Sequence, residues 1–240
     1  MSSPPAGLRP RPSTTSRPTD GACGAVVLLV GVDVDVAGAP VLRALDLEIG
    51  SGEAVGLVGP NGSGKSTLLR VMATLLRPVR GVGRILGADL GSAAVAAVRP
   101  SIALVGHTPA LYPRLTLAEN LHFVGRLTGR PAPDADQVLD AVGLGAARQR
   151  MALHCSQGML RRAELARVLL VRPRLLLLDE AHAGLDESSA GLVDALVADV
   201  SRRGGTSVLV SHDRARLLPV VDRVVEVVDG RAAPHEVVSP

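Results

Sequence analysis

Short apolar runs alternate along most of the chain with longer stretches whose apolar residues recur at helical spacing. Ala54–Val58 and Ile102–Val105 are continuously apolar, as expected of strands buried on both faces of a sheet. Leu175–Leu178, Ser207–Val210 and Val224–Val228 read as further strands. Leu68, Val71, Met72, Leu75 and Leu76 predict a helix that Arg77-Pro78 stops. Ser92–Val98 predicts a short helix ending before Pro100, and Arg214–Val220 another. Thr116-Leu117-Ala118-Glu119 is a capping box, so a helix is expected from there to about Thr128. Residues 134–142, Gln157–Leu170 and Glu187–Arg202 complete the helical set. Near the start, Val26–Val32 and Leu45–Ile49 read as strands broken by Ala37-Gly38-Ala39-Pro40, and Gly81–Gly87 as a strand between glycines.

This alternation of strand and helix predicts an α/β fold. The section from about 107 to 170 is mainly helical and interrupts the alternation, so an inserted helical subdomain is expected there. Residues 1–23 are rich in Pro, Ser, Thr and Arg and lack the apolar core of a secretory signal; a disordered tail is expected. The folded domain should then span residues 24–232, with 233–240 as a C-terminal tail.

Composition narrows the picture. Apolar runs all fall short of the roughly 20 residues a bilayer-spanning helix needs. The net charge of +3 is spread over interleaved acids and arginines, so no nucleic-acid-binding patch is expected. The two cysteines, Cys23 and Cys155, sit in no metal-binding or redox spacing, which suits a reducing compartment. Tyr112 and Phe123 are the only aromatic residues.

Between the strand at Ala54–Val58 and the first helix lies Gly59-Pro60-Asn61-Gly62-Ser63-Gly64-Lys65-Ser66-Thr67, which fits G-x-x-x-x-G-K-[ST]. Glycines let backbone N–H groups turn inward around phosphates, and the helix N-terminus adds its positive dipole end. Lys65 supplies a mobile positive charge, and the Ser66 hydroxyl is suited to ligate Mg²⁺. Lys65 is also the only lysine of the chain; every other strong positive charge is an arginine.

Further on, Leu175–Leu178 leads into Asp179-Glu180, two carboxylates at the carboxyl end of a buried strand, where ligands of open α/β sheets gather. Asp179 is suited to hold Mg²⁺, and Glu180 to act as general base toward water attacking a γ-phosphate. Ser156-Gln157-Gly158 opens a helix; by itself it reads as an N-cap, with a glycine that permits close approach to a phosphate.

The order of these parts, followed by Gly184-Leu185-Asp186 and Ser211-His212, resembles the ABC-transporter ATPases over about residues 26–230. That resemblance implies a P-loop ATPase with a RecA-like parallel-sheet core, a small antiparallel β subdomain and the helical insertion. It makes Gly59–Thr67 the Walker A loop, Asp179 the Mg²⁺ carboxylate and Glu180 the catalytic base. Ser156, Gln157 and Gly158 become the signature that reaches the nucleotide of an opposite subunit, Asp186 the D-loop residue and His212 the switch histidine. ATP and Mg²⁺ are the implied cofactors. The implied partners are a second ATPase subunit, identical or paired, and a separate integral membrane transporter subunit. The implied location is peripheral, on the cytoplasmic face of the cell membrane. Cys155, Met159 and Ala181 depart from the usual family residues, and no aromatic lies near Val36 to stack on adenine, which opens the site to GTP. His107 occupies the place of the family's Q-loop glutamine. With Gly106 before it and Leu115-Thr116 and Glu119-Asn120-Leu121 after it, the segment resembles the ATPase of haem exporters in cytochrome c biogenesis. Drug and polysaccharide exporters share its second half, so the ATPase of a drug, lipid or polysaccharide exporter is the alternative, followed by a soluble ABC protein acting on nucleic acid or ribosomes.

Overall fold

A computed structural model describes residues 24–106, 108–129, 132–180 and 187–235. At its centre is a six-stranded sheet in the order β10-β9-β3-β8-β7-β6. Its members are β3 (Ala54–Val58), β6 (Ile102–Val105), β7 (Leu175–Asp179), β8 (Thr206–Val210), β9 (Arg223–Val228) and β10 (Arg231–His235). All neighbours run parallel except β9 and β10. The continuous apolar runs are explained by two-sided burial. Leu175 and Leu177 of β7 face one core with Val55 and Leu57 of β3, while Leu176 and Leu178 face another.

The first core is closed by helix α1 (Lys65–Met72) and a four-stranded antiparallel sheet, order β2-β1-β4-β5. That sheet contains β1 (Val27–Val36), β2 (Ala39–Ile49), β4 (Arg80–Ile85) and β5 (Ala88–Asp89). The second core is closed by α5 (Gln157–Val171), α6 (Glu187–Arg202) and α7 (Arg214–Leu217). Helices α3 (Leu117–Thr128) and α4 (Ala132–Ala141) pack with the outer face of α5 into a third core around Leu117, Leu121, Leu139 and Ala166. The short α2 (Val95–Val98) precedes β6. The parallel-sheet core, antiparallel subdomain and helical insertion are therefore all present. Among the described residues no helix is long and apolar enough to cross a membrane.

Several boundaries differ from those the hydrophobic pattern predicts. The break at Ala37–Pro40 is only a two-residue turn: Ala37 and Gly38 take φ of 51° and 80°, and Val36 already pairs with Ala39. Positive φ at both turn positions matches the twist of the flanking strands, so β2 begins at once. Helix α1 ends at Met72 instead of running to Leu76, because Thr74 turns left-handed at φ 61° and Leu75 and Leu76 both donate back to Arg70 O. The predicted helix over Ser92–Val98 is reduced to Val95–Val98. Arg231–His235 forms a strand that its composition conceals, held by pairing with β9. The capping box is as predicted: Glu119 N–H donates to Thr116 Oγ1 at 3.1 Å, and Thr116 N–H to Glu119 Oε2 at 2.7 Å.

Candidate nucleotide site

The loop Gly59–Gly64 joins the carboxyl end of β3 to α1, and its shape depends on glycine. Gly59 sits at φ 139°, where a Cβ would lie 2.1 Å from Val227 O; Gly64 sits at φ 106°, where one would lie 2.7 Å from Leu42 Cδ2. No side chain caps α1, so its N-terminal N–H groups and dipole face the loop. Lys65, the first residue of α1, is only 6% exposed. Its ammonium donates to Gly59 O and Pro60 O, both at 2.8 Å. Burial pushes its pKa down, opposed by the nearby carboxylates of Glu180 and Asp179. Ser63 Oγ is buried without a hydrogen-bond partner among the described residues. A buried spare hydroxyl and a desolvated ammonium in one loop suit a phosphate chain, whose oxygens satisfy both.

The sheet delivers the remaining groups from neighbouring strands. Asp179 ends β7, and Glu180 follows it at φ 53°, its N–H bonded to Val210 O of β8 at 3.0 Å. His212 lies just beyond β8, where Ser211 Oγ accepts from Asp213 N–H and Asp213 in turn caps α7. His212 Nε2 comes within 2.6 Å of Glu180 Oε1. Two clefts that share Ser66 and Glu180 receive these side chains. One, of about 260 Å³, is lined among others by Val41, Asn61, Lys65, Thr67 and His212. The other, of about 440 Å³, is lined by Ser66, Gly106, Thr108, Asp179 and Glu180 among others.

Mg²⁺ fits the second cleft. It takes a carboxylate, a hydroxyl and phosphate or water oxygens, and Asp179 and Ser66, both lining this cleft, would supply the first two. Among the described residues no cluster of three or more His, Cys, Asp or Glu could hold a metal by itself, so the other ligands would come from nucleotide and water.

The predicted residues do not all meet. Ser156, Gln157 and Gly158 open α5, with Ser156 Oγ accepting from Met159 N–H at 3.2 Å, but they line neither cleft. A Cβ added to Gly158 would touch nothing within 4 Å. His107 and Asp186 lie outside the described residues, although Gly106 and Thr108 flank the second cleft. Tyr112 and Phe123 pair edge to face at 5.2 Å and line neither cleft; from the antiparallel sheet, Val41 lines the first cleft.

Sequence reasoning gave no role to Arg161, which is 6% exposed and donates to Gly106 O at 2.7 Å and Glu180 O at 3.0 Å. The available signal was an arginine at an inward position of a helix rich in buried alanine and leucine.

Known proteins share both the sequence and the shape. The chain is 42% identical over 202 residues to the lipoprotein-releasing system ATP-binding protein LolD of Anaeromyxobacter dehalogenans, covering 80% of this chain and 84% of that one. It is 43% identical over 176 residues to the cytochrome c biogenesis ATP-binding export protein CcmA of Bordetella bronchiseptica, covering 71% and 76%. Its fold matches the dimeric post-hydrolysis state of an ATP-binding cassette bound to ADP and Pi, with a TM-score of 0.81 at 25% identity over 89% of this chain and 99% of that one. Residues 42–183, which carry the glycine loop, the α5 cap and the carboxylate pair, match the ABC transporter family. That span is more than half of the chain: the protein belongs to the ABC transporter family, as its ATP-binding, ATP-hydrolysing cassette.

Proposed function

We propose that the cassette works as one half of an ATPase pair, two subunits closing around ATP and driving a separate integral membrane subunit from the cytoplasmic face of the membrane. The separation of Ser156–Gly158 from both clefts carries this reading. One copy brings Lys65, Ser66, Asp179, Glu180 and His212 to the two clefts, while its capped, solvent-facing helix start lines neither of them among the described residues. A second copy facing the first would place that helix start, with its dipole and N–H groups, over the γ-phosphate. The similar cassette of known structure is dimeric.

In this reading the loop and Lys65 hold the phosphates, and Ser66 and Asp179 would hold Mg²⁺, which would neutralise phosphate charge as it develops. Glu180 accepts the proton of the attacking water. His212, 2.6 Å from Glu180, aims the carboxylate and contacts the γ-phosphate, and Asp186 relays closure between subunits. Nothing in the charge pattern calls for a nucleic-acid partner.

For cargo, Gly106-His107 and the identity to CcmA support haem export for cytochrome c biogenesis. The longer matched span with LolD supports the alternative of lipoprotein or lipid export. The chain's ATPase activity, assayed with reconstituted membrane subunits of each class, separates them. The true partner stimulates hydrolysis several-fold and the other does not; stimulation by the lipoprotein-type subunit alone removes the haem reading.

A further inference from the structure

Helix α5 carries three charged residues at three-residue intervals that turn toward the sheet instead of solvent. Glu164 is fully buried, Arg161 is 6% exposed, and the Arg167 side chain is 14% exposed. Their partners include main-chain atoms in and beyond β6 and β7. Arg167 donates to Leu104 O at 2.9 Å and pairs with Glu164. Glu164 Oε1 accepts from Ala110 N–H at 3.0 Å. Arg161 bridges two strand ends, Gly106 O at 2.7 Å and Glu180 O at 3.0 Å. Buried charges are costly unless fully hydrogen-bonded, so this arrangement defines one geometry and penalises others.

Glu180 is where that geometry is needed. Its φ of 53° is left-handed, a conformation a non-glycine residue keeps only when its surroundings over-determine it. Two bonds grip its peptide groups: its N–H reaches Val210 O, and its carbonyl receives the Arg161 guanidinium. The side chain thus aimed meets His212 at 2.6 Å. The helix that supplies Arg161 is the one whose start, Ser156–Gly158, faces outward.

We infer that Arg161 is a positioning residue for hydrolysis: it pins the left-handed main chain of Glu180 and ties it to Gly106, so that a movement of α5 at its exposed start is felt at the carboxylate facing water. This rests on the role proposed for Glu180 and extends it to a residue that lines neither cleft. An arginine serves here because one planar guanidinium reaches two carbonyls at once, which a single shorter donor cannot.

The test is a double-mutant cycle on the full chain, with kcat and nucleotide affinity read separately for wild type, Arg161→Met, Glu180→Gln and the double variant. Arg161→Met is expected to lower kcat about tenfold while the affinity for a fluorescent ATP analogue stays within about twofold, because the phosphate loop is untouched. In the Glu180→Gln background the same change should alter the residual rate by less than about twofold, since a residue acting through Glu180 has nothing left to position. An Arg161→Met kcat within about twofold of wild type, or equal losses in both backgrounds, overturns the inference. If a melting curve shows Arg161→Met unfolded at the assay temperature, Arg161→Lys is read by the same criteria, for it keeps a positive charge beside Glu164 and loses the two-carbonyl reach. Failure of the Glu180 assignment looks different: Glu180→Gln would then turn over normally whatever stands at 161.

Discussion

Glu180 Oε1 and His212 Nε2 stand 2.6 Å apart, although the two residues belong to loops at the ends of different strands. The parallel pairing of β7 with β8 makes them neighbours, matching Asp179 to Val210 so that the two chains leave the sheet side by side. The imidazole stands against one oxygen of the carboxylate, and Glu180 lines the cleft that also holds Ser66 and Asp179. A carboxylate held beside an imidazole and lining an open cleft is a suitable acceptor for a water proton.

Glu180→Gln is therefore expected to leave ATP binding intact and to lower turnover about 10²–10⁴-fold, the range that a positioned general base contributes. Equilibrium binding and steady-state phosphate release, measured on the same preparation, check both halves. Turnover within about threefold of wild type would show that another group takes the proton.

Lys65→Ala should act on binding itself. Losing a charge-assisted contact worth about 1.5–3 kcal/mol weakens ATP by about 10–100-fold. The pH dependence follows from the same residue. Burial lowers the pKa of Lys65, and a bound phosphate favours the charged form, so binding takes up a proton wherever the free ammonium has begun to titrate. ATP affinity of the wild type should fall as pH rises through the depressed pKa of Lys65, earlier than for an exposed lysine. Lys65→Ala, with no ammonium to lose, should lack that alkaline fall when both are titrated calorimetrically.

The parts legible in the sequence are those whose chemistry is local. Gly59–Thr67 declares its loop because its spacing is a contiguous motif whose glycines all take positive φ, and Thr116 and Glu119 announce a helix start three residues apart. Asp179-Glu180 was legible because a leucine run ended there. Arg161 was not, because its partners Gly106 and Glu180 lie 55 and 19 residues away and only the fold brings them in. The strand Arg231–His235 was hidden for a similar reason: Arg, Ala and Pro have no strand preference, and β9 supplies the pairing. The tight turn at Ala37-Gly38 was read as a break because alanine conceals a left-handed position that Gly or Asn would have marked.

Base selectivity should be weak. Stacking a base on an aromatic ring contributes about 1–3 kcal/mol, and both rings of this chain pair with each other in the helical subdomain, leaving Val41 as the neighbour of the loop. GTP is expected to be hydrolysed with a kcat/KM within about threefold of that for ATP, where loss of one stacking contact would cost tenfold or more. A preference for ATP above about 30-fold would mean that hydrogen bonds to the adenine edge select it.

Central to the account is a hydrolytic site assembled from two chains, Lys65 and Glu180 from one and Ser156–Gly158 from the other. Each defect can be placed on a separate copy: Lys65→Ala disables the phosphate loop, and Gly158→Trp, whose Cβ meets no described atom within 4 Å, is expected to obstruct the helix start. Alone, either variant should be nearly inactive, since every site of its homodimer carries the defect. Mixed in equal amounts, half of the dimers formed at random pair one copy of each, and each mixed dimer keeps one site free of both changes. ATP hydrolysis by the mixture is the decisive measurement. Recovery of about a quarter of the wild-type rate is expected for random pairing with independent sites. Mixed dimers shown by tagged co-purification to form, with hydrolysis no higher than either variant alone, would contradict a site shared between two chains.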